Sequence, residues 1–274
     1  MPARVPRVIR TPAIVLRYRR LGEADRIVTL LTPGRGKVDV VAKGVLRSRS
    51  KLAGHLEPLT LVEVILAAGR NMDIVTQAQT EDAFAAIHTD LDRLSAAMYL
   101  LELADRFTVE HAEAEGVHDL LHAALVRLAR GDGQQVVCRT FELALLDATG
   151  FRPELTDCLR CGAPVPAEDA WWAPREGGVL DAAHARGVED AQPIDAATLR
   201  VLRAYQAQPY EEAGRIRLTD DFAARMEQAM HALMRAVAER ELKSAAFVNA
   251  ARRARVAEES AANVDAERDE EVEA

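Results

Sequence analysis

The sequence predicts an α+β multidomain chain. Residues 1–82 form an N-terminal five-stranded OB-fold β-barrel, and residues 83–250 form an all-α helical domain carrying a zinc-ribbon-like insert at 151–193. Three observations predict this. Apolar residues recur with a period of two through the first 80 positions and with a helical period afterwards. Positive charge gathers at the front: residues 1–70 hold 14 Lys+Arg against 5 Asp+Glu, a balance of +9 in a chain whose net charge is −8. Finally, a Cys-X-X-Cys pair interrupts the helical part inside a proline-rich stretch.

The strands come first. Ala13–Arg19, Arg26–Leu31, Lys37–Lys43, Pro58–Leu66 and Met72–Ala78 are short, rich in Val, Ile, Leu and Thr, and separated by turn residues. Thr32-Pro33-Gly34-Arg35-Gly36 is a tight turn with two glycines able to take positive φ, and Gly69-Arg70-Asn71 is another. Within the first strand, Ile14, Leu16 and Tyr18 share one face while Val15, Arg17 and Arg19 share the other. Five short strands with no helix of convincing length suit a small closed barrel.

Helical spacing then takes over at Leu91–Ala112, Val117–Arg130 and Gln134–Thr149, punctuated by Gly116, Gly131-Asp132-Gly133 and Gly150. A second block covers Asp195–Gln208 and Thr219–Lys243; in the latter Phe222, Met226, Met230, Leu233, Met234 and Val237 make one stripe. Between the blocks, residues 151–193 hold five of the eleven prolines, Trp171-Trp172 and two of the three cysteines, and read as an irregular insert. From Glu258 onward eight acidic residues and one arginine stand almost without bulky apolar neighbours, so 251–274 is expected to be a disordered acidic tail that competes with other polyanions for the basic barrel.

Composition excludes several classes. Three cysteines cannot build a disulfide framework and fit a reducing compartment. The N-terminus lacks an uninterrupted apolar run, so no signal peptide is expected, and no segment approaches an 18-residue membrane span. No Gly-rich phosphate loop and no nucleophile elbow is present, so no enzyme is expected. Aromatics at 4% argue against a surface built mainly on base stacking.

Phosphate binding needs several cations in one groove, because release of condensed counterions supplies most non-specific affinity. The candidates are Arg17, Arg26, Arg35, Lys37, Lys43, Arg47, Arg49 and Lys51, the last three interleaved with serines in what should be a flexible loop. The charge pattern alone leaves DNA and RNA equally open, so an OB-fold RNA-binding protein stands as the alternative. Cys158-Leu159-Arg160-Cys161-Gly162 is half of a zinc knuckle, and Asp181 and His184 repeat its two-residue gap at the right distance. A Cys2AspHis zinc site and a metal-free ribbon held by Trp171 and Trp172 are both open. His118-Asp119-Leu120-Leu121-His122 is a near-match to a helical metalloprotease motif and defines a further alternative, a zinc-dependent hydrolase; Asp in place of the motif's Glu would misplace a general base. A structural reading puts both histidines on the polar flank of the stripe Val117, Leu121, Ala124, Leu125 and Leu128. Cys138, near Phe141 and Leu145, is expected to be a small core residue.

Several segments together resemble the RecO family. They are Ala13-Ile14-Val15-Leu16-Arg17, Leu21-Gly22-Glu23-Ala24-Asp25-Arg26-Ile27-Val28-Thr29-Leu30-Leu31-Thr32, Gly36-Lys37, Val41-Ala42-Lys43-Gly44, Ser50-Lys51-Leu52, Leu56-Glu57-Pro58, Thr149-Gly150-Phe151-Arg152-Pro153 with the Cys158–Gly162 knuckle, and Glu241-Leu242-Lys243-Ser244 with Phe247. Asp181 and His184 stand where zinc-bearing members have a second cysteine pair. The resemblance implies an OB-fold followed by a helical domain with a metal-ribbon insert, and cytoplasmic, nucleoid-associated work in DNA repair and recombination. It implies binding of single- and double-stranded DNA, strand annealing, and partnership with RecR and single-stranded DNA-binding protein in loading RecA. By motif match it places Arg17, Arg26, Lys37, Lys43 and Lys51 in the DNA-binding barrel.

Overall fold

A computed structural model describes residues 8–108 and 116–238. The end expected at Lys243 for the last helix and the acidic tail at 251–274 lie outside the described residues.

Strands β1 (Val8–Leu21), β2 (Asp25–Thr32), β3 (Gly36–Ala42), β4 (Leu61–Ala67) and β5 (Asp73–Asp82) pair in the order β1-β2-β3-β5-β4 and close into a barrel. Every pairing is antiparallel except β3 with β5, where Val40 faces Asp73 and Val41 faces Ile74. Alternation builds two cores from one sheet. Ala13, Val15, Val28, Leu30, Val38, Val40, Val62, Val64 and Leu66 point into the barrel, while Ile14, Leu16, Leu31 and Leu61 join the core of the helical part. Ala13–Leu16 is therefore buried without interruption, the mark of a strand covered on both faces. A bulge between Val15 and Arg17 shifts the register against β2, and beyond it Tyr18 emerges to 37% exposure.

Two expectations about the strands need correcting. The strand predicted to start at Pro58 starts at Leu61, because Leu59 sits at φ 65° and donates its N–H to the Val15 carbonyl at 3.1 Å. In the β2–β3 turn only Gly36 takes positive φ (59°); the Thr32 hydroxyl bonds the Gly36 carbonyl at 3.1 Å and accepts from the Arg35 N–H at 3.2 Å.

The chain leaves the barrel through Phe84, at φ 45° with its N–H on the Asp82 carboxylate at 2.7 Å, into the short α1 (Ala85–His88). Helices α2 (Leu91–Phe107), α3 (Val117–Arg130) and α4 (Gln134–Ala148) follow. Asp90 caps α2 by accepting from the Arg93 N–H at 3.0 Å. The helix expected to run to Ala112 stops at Phe107: Thr108 is extended, and its hydroxyl takes the Ala104 carbonyl at 2.6 Å.

The insert carries β6 (Trp171–Ala173), β7 (Gly178–Leu180), the single turn α5 (Ala182–Ala185) and β8 (Gln192–Pro193), with sheet order β7-β6-β8. Trp172 is 1% exposed, and its indole N–H donates to the Ala229 carbonyl at 3.1 Å. That bond fastens the insert to the closing helices α6 (Ala196–Ala207), α7 (Tyr210–Ala213) and α8 (Asp220–Ala238). The stripe Phe222, Met226, Met230, Leu233 and Met234 of α8 is buried as its spacing predicts.

Candidate nucleic-acid interface and metal-ligating cluster

The eight candidate cations do not form one patch. On β1, β2 and β3 the register sets Arg20 opposite Arg26 and Arg26 opposite Ala42, the residue before Lys43. The 44–50 turn packs onto this end: the Leu46 N–H reaches the Ala24 carbonyl at 2.9 Å and the Gly44 N–H reaches the Asp25 carboxylate at 2.6 Å. Lys43, Arg47, Arg49 and Lys51 are exposed there, and no carboxylate pairs with any of them among the described residues. Arg26 belongs to the same end but is committed. Its guanidinium lies 3.7 Å over the Tyr18 ring and pairs with Glu57 at 2.8 Å.

The other three candidates sit elsewhere. Arg35 is in the β2–β3 turn, at the far end of β3 from Lys43, and pairs with Asp73 at 2.6 Å. Arg17 Nε and Lys37 Nζ converge on the Asp105 carboxylate in the last turn of α2, at 2.7 and 3.1 Å, and Lys37 also donates to the Asp105 carbonyl. These contacts join barrel to helix. A cation at a helix C-terminus also meets the negative end of the helix dipole.

Cys158, Cys161, Asp181 and His184 are brought together as their spacing predicts, with one ligand atom from each lying within 4.8 Å of the others. The backbone makes this possible: Gly162 takes φ 71° and its N–H closes on the Cys158 carbonyl at 2.8 Å, turning both thiols to one side. Opposite, Asp181 caps α5 through Oδ1, accepting from the Ala183 and His184 N–H groups at 2.9 Å each, which aims His184 Nδ1 at the cluster. Cys158 Sγ lies 3.7 Å from that nitrogen, and Cys161 Sγ lies 3.5 Å from Asp181 Oδ2.

The electrostatics divide between the four groups: Cys158 and Asp181 are held towards their anionic forms, while Cys161 is raised, the Ala163 N–H being outweighed by burial and by the Cys158 and Asp181 side chains. Burial opposes the Cys158 thiolate, yet the N–H groups of Asp181, Cys161 and Arg160 outweigh it and hold the thiol below its ordinary range. The His184 N–H and ring hold the Asp181 carboxylate well below the usual range, and the Asp181 side chain in turn raises His184. Two thiols, one carboxylate and one imidazole are a four-donor set that a zinc ion accepts.

His118 and His122 gather no such set. Their ring centroids are 6.4 Å apart, and the Cys158 cluster is the only group of three or more converging ligands among the described residues. The expectation that both lie on a polar flank is corrected for His118, which is 6% exposed and whose pKa burial depresses. Phe84 meets His122, on the same helix as His118, edge-on at 6.3 Å between centroids.

Sequence reasoning missed two features. One is Asp105, a lone carboxylate with no local motif. The other is a buried polar network: Arg139 and Tyr99 both bond Glu142 Oε1 at 2.6 Å, with Glu142 0% exposed. Burial raises the Glu142 carboxyl to about 7 against the opposing pull of Arg139. Only the interruption of an apolar helical stripe by Arg139 and Glu142 could have signalled it.

Comparison with known proteins agrees with the two-part architecture. Residues 7–84 match the family model "Recombination protein O N terminal", and residues 88–246 match "Recombination protein O C terminal". The chain belongs to the RecO family. A relative named DNA repair protein RecO from Roseiflexus sp. (strain RS-1) is 41% identical over 244 residues, covering 89% of this chain and 86% of the relative. RecO proteins from Dehalococcoides mccartyi (strain CBDB1) and Heliobacterium modesticaldum are 34% and 38% identical, covering 90% and 77% of this chain and 97% and 78% of the relatives. Among the described residues no helix is long and apolar enough to cross a membrane.

Proposed function

We propose that this chain is a non-enzymatic DNA repair and recombination mediator that binds single- and double-stranded DNA through an OB-fold barrel and anneals complementary strands. The observation that carries the reading is the exposed quartet Lys43, Arg47, Arg49 and Lys51, without carboxylate partners among the described residues, at one end of a closed five-stranded barrel. Cations there screen the repulsion between two phosphate backbones and hold the strands close, and base pairing supplies the driving force. Arg17, Arg35 and Lys37, named with the quartet on sequence grounds, serve this reading as supports of the barrel and its junction. Work with RecR and single-stranded DNA-binding protein in loading RecA belongs to the same reading and rests on family membership.

In this account Cys158, Cys161, Asp181 and His184 hold a structural zinc ion. Such an ion cross-links the knuckle turn to α5 and stabilises the insert against α8.

The test is strand annealing by the full chain on matched DNA and RNA strands, with and without single-stranded DNA-binding protein. Acceleration on DNA, including coated DNA, supports the reading. A preference for RNA transfers the barrel to an RNA-binding role, and no acceleration on either removes annealing.

A further inference from the structure

The helical part contains a second cationic feature, which the barrel reading does not use. A cleft of about 1270 Å3 opens between the α3–α4 turn and the segment running from α7 into α8. Four arginines line it: Arg127, Arg130, Arg215 and Arg217. Arg127 lies 3.6 Å over the Tyr210 ring and 3.7 Å from Glu211. Arg130, Arg215 and Arg217 are exposed, and none has an ion-pair partner among the described residues. The carboxylates of the cleft, Asp132, Glu211 and Asp220, all have partners of their own, Asp132 accepting from the Tyr210 hydroxyl at 2.9 Å. The N-terminus of α4 opens here too, capped by Gly133 without a side-chain hydrogen bond, so its free N–H groups add positive potential.

We propose that this cleft is the docking site of the chain's own acidic C-terminal segment, residues 258–274. That segment carries eight carboxylates against one arginine, the complement of three unpaired guanidinium groups and a helix N-terminus. The chain length permits the contact. The cleft lies at the first turn of α8, whose nineteen residues span about 28 Å. Residues 239–257, which connect the far end of α8 to the acidic segment, reach at most about 65 Å when extended. Tethering makes the encounter intramolecular, with an effective concentration on the order of millimolar, so modest charge pairing suffices. A single nucleic-acid strand fits the cleft less well, because Arg127 covers the face of Tyr210 that a base would stack on. Docking here, and not on the barrel, leaves the Lys43–Lys51 turn open to DNA while closing the second cationic surface to other polyanions.

The test places the photocrosslinking residue p-benzoylphenylalanine at position 264, in place of Val264, in the full chain and maps adducts by mass spectrometry. At low salt the expected adducts are intramolecular and fall on residues 127–136 and 210–223. They are lost at high salt, and lost in the Arg130→Glu, Arg215→Glu, Arg217→Glu variant, whose fold circular dichroism checks. A second variant, with the eight tail carboxylates changed to amides, leaves residues 8–238 untouched and loses the same adducts. Adducts on residues 43–51, adducts only between two chains, adducts that survive the arginine reversal, or none at all each overturn the proposal. DNA binding is not part of the readout, so this result is independent of the function proposed for the barrel.

Discussion

Arg17 of β1 and Asp105 of α2 are 88 residues apart and joined by a 2.7 Å hydrogen bond, with Lys37 of β3 reaching the same carboxylate at 3.1 Å. One acidic side chain thus ties two strands of the barrel to the end of a helix. It also engages two of the cations that the sequence offers as phosphate contacts, and one carboxylate shared between two cations leaves the group a net positive charge.

Asp105→Asn is expected to loosen this junction. Arg17 is half exposed, so screening limits its share, and the loss of stability is about 1 kcal/mol, a fall of a few degrees in Tm. The same variant leaves Arg17 free and is expected to strengthen DNA binding at low salt. Unchanged Tm together with unchanged affinity would show that the pair does not hold the junction.

The metal cluster gives a second prediction. The chain is expected to hold one zinc ion by elemental analysis, with His184→Ala and Cys161→Ala each losing it. Chelation is expected to lower Tm and increase proteolysis between residues 151 and 193 while leaving DNA affinity unchanged. Zinc retained in a Cys158→Ala, Cys161→Ala variant would relocate the metal.

Glu142 gives a pH dependence. Burial raises its carboxyl from 4.5 to about 7 in the fold, with Arg139 and Tyr99 opposing and Glu227 of α8 adding to the rise. The folded state therefore binds more protons than the unfolded state between those values, and stability falls as pH rises through that window. The stability of the native chain minus that of Glu142→Gln should fall from pH 5 to pH 8, followed by thermal unfolding. A difference that is flat, or grows with pH, would mean the carboxyl is ionised throughout. Glu142→Leu, which strands Arg139 in the core, is expected to cost about 3–5 kcal/mol.

Much of this was legible in the sequence, for local reasons. Period-two spacing in β3 and the α8 stripe report which face is buried, and the Cys158–Cys161 and Asp181–His184 gaps report two turns able to face one another. What was not legible depends on distant partners. Asp105 becomes informative only once α2 is laid against β1 and β3. His118 reads as a flank residue, yet it is 6% exposed once α3 is packed in the fold. Leu59, at positive φ without being glycine, is fixed by its bond to Val15 and not by local preference. The basic run likewise reads as one patch, although β3 separates Arg35 from Lys43 by roughly 20 Å of strand.

The central claim is that the Lys43–Lys51 turn carries the phosphate contacts. The most direct test is the salt dependence of DNA binding by the full chain, compared with a Lys43→Glu, Arg47→Glu, Arg49→Glu variant. Each lost phosphate contact removes about 0.9 from the slope of log K against log salt on duplex DNA, so the slope should flatten by about 2–3. A variant whose slope and affinity match the native chain would contradict the account.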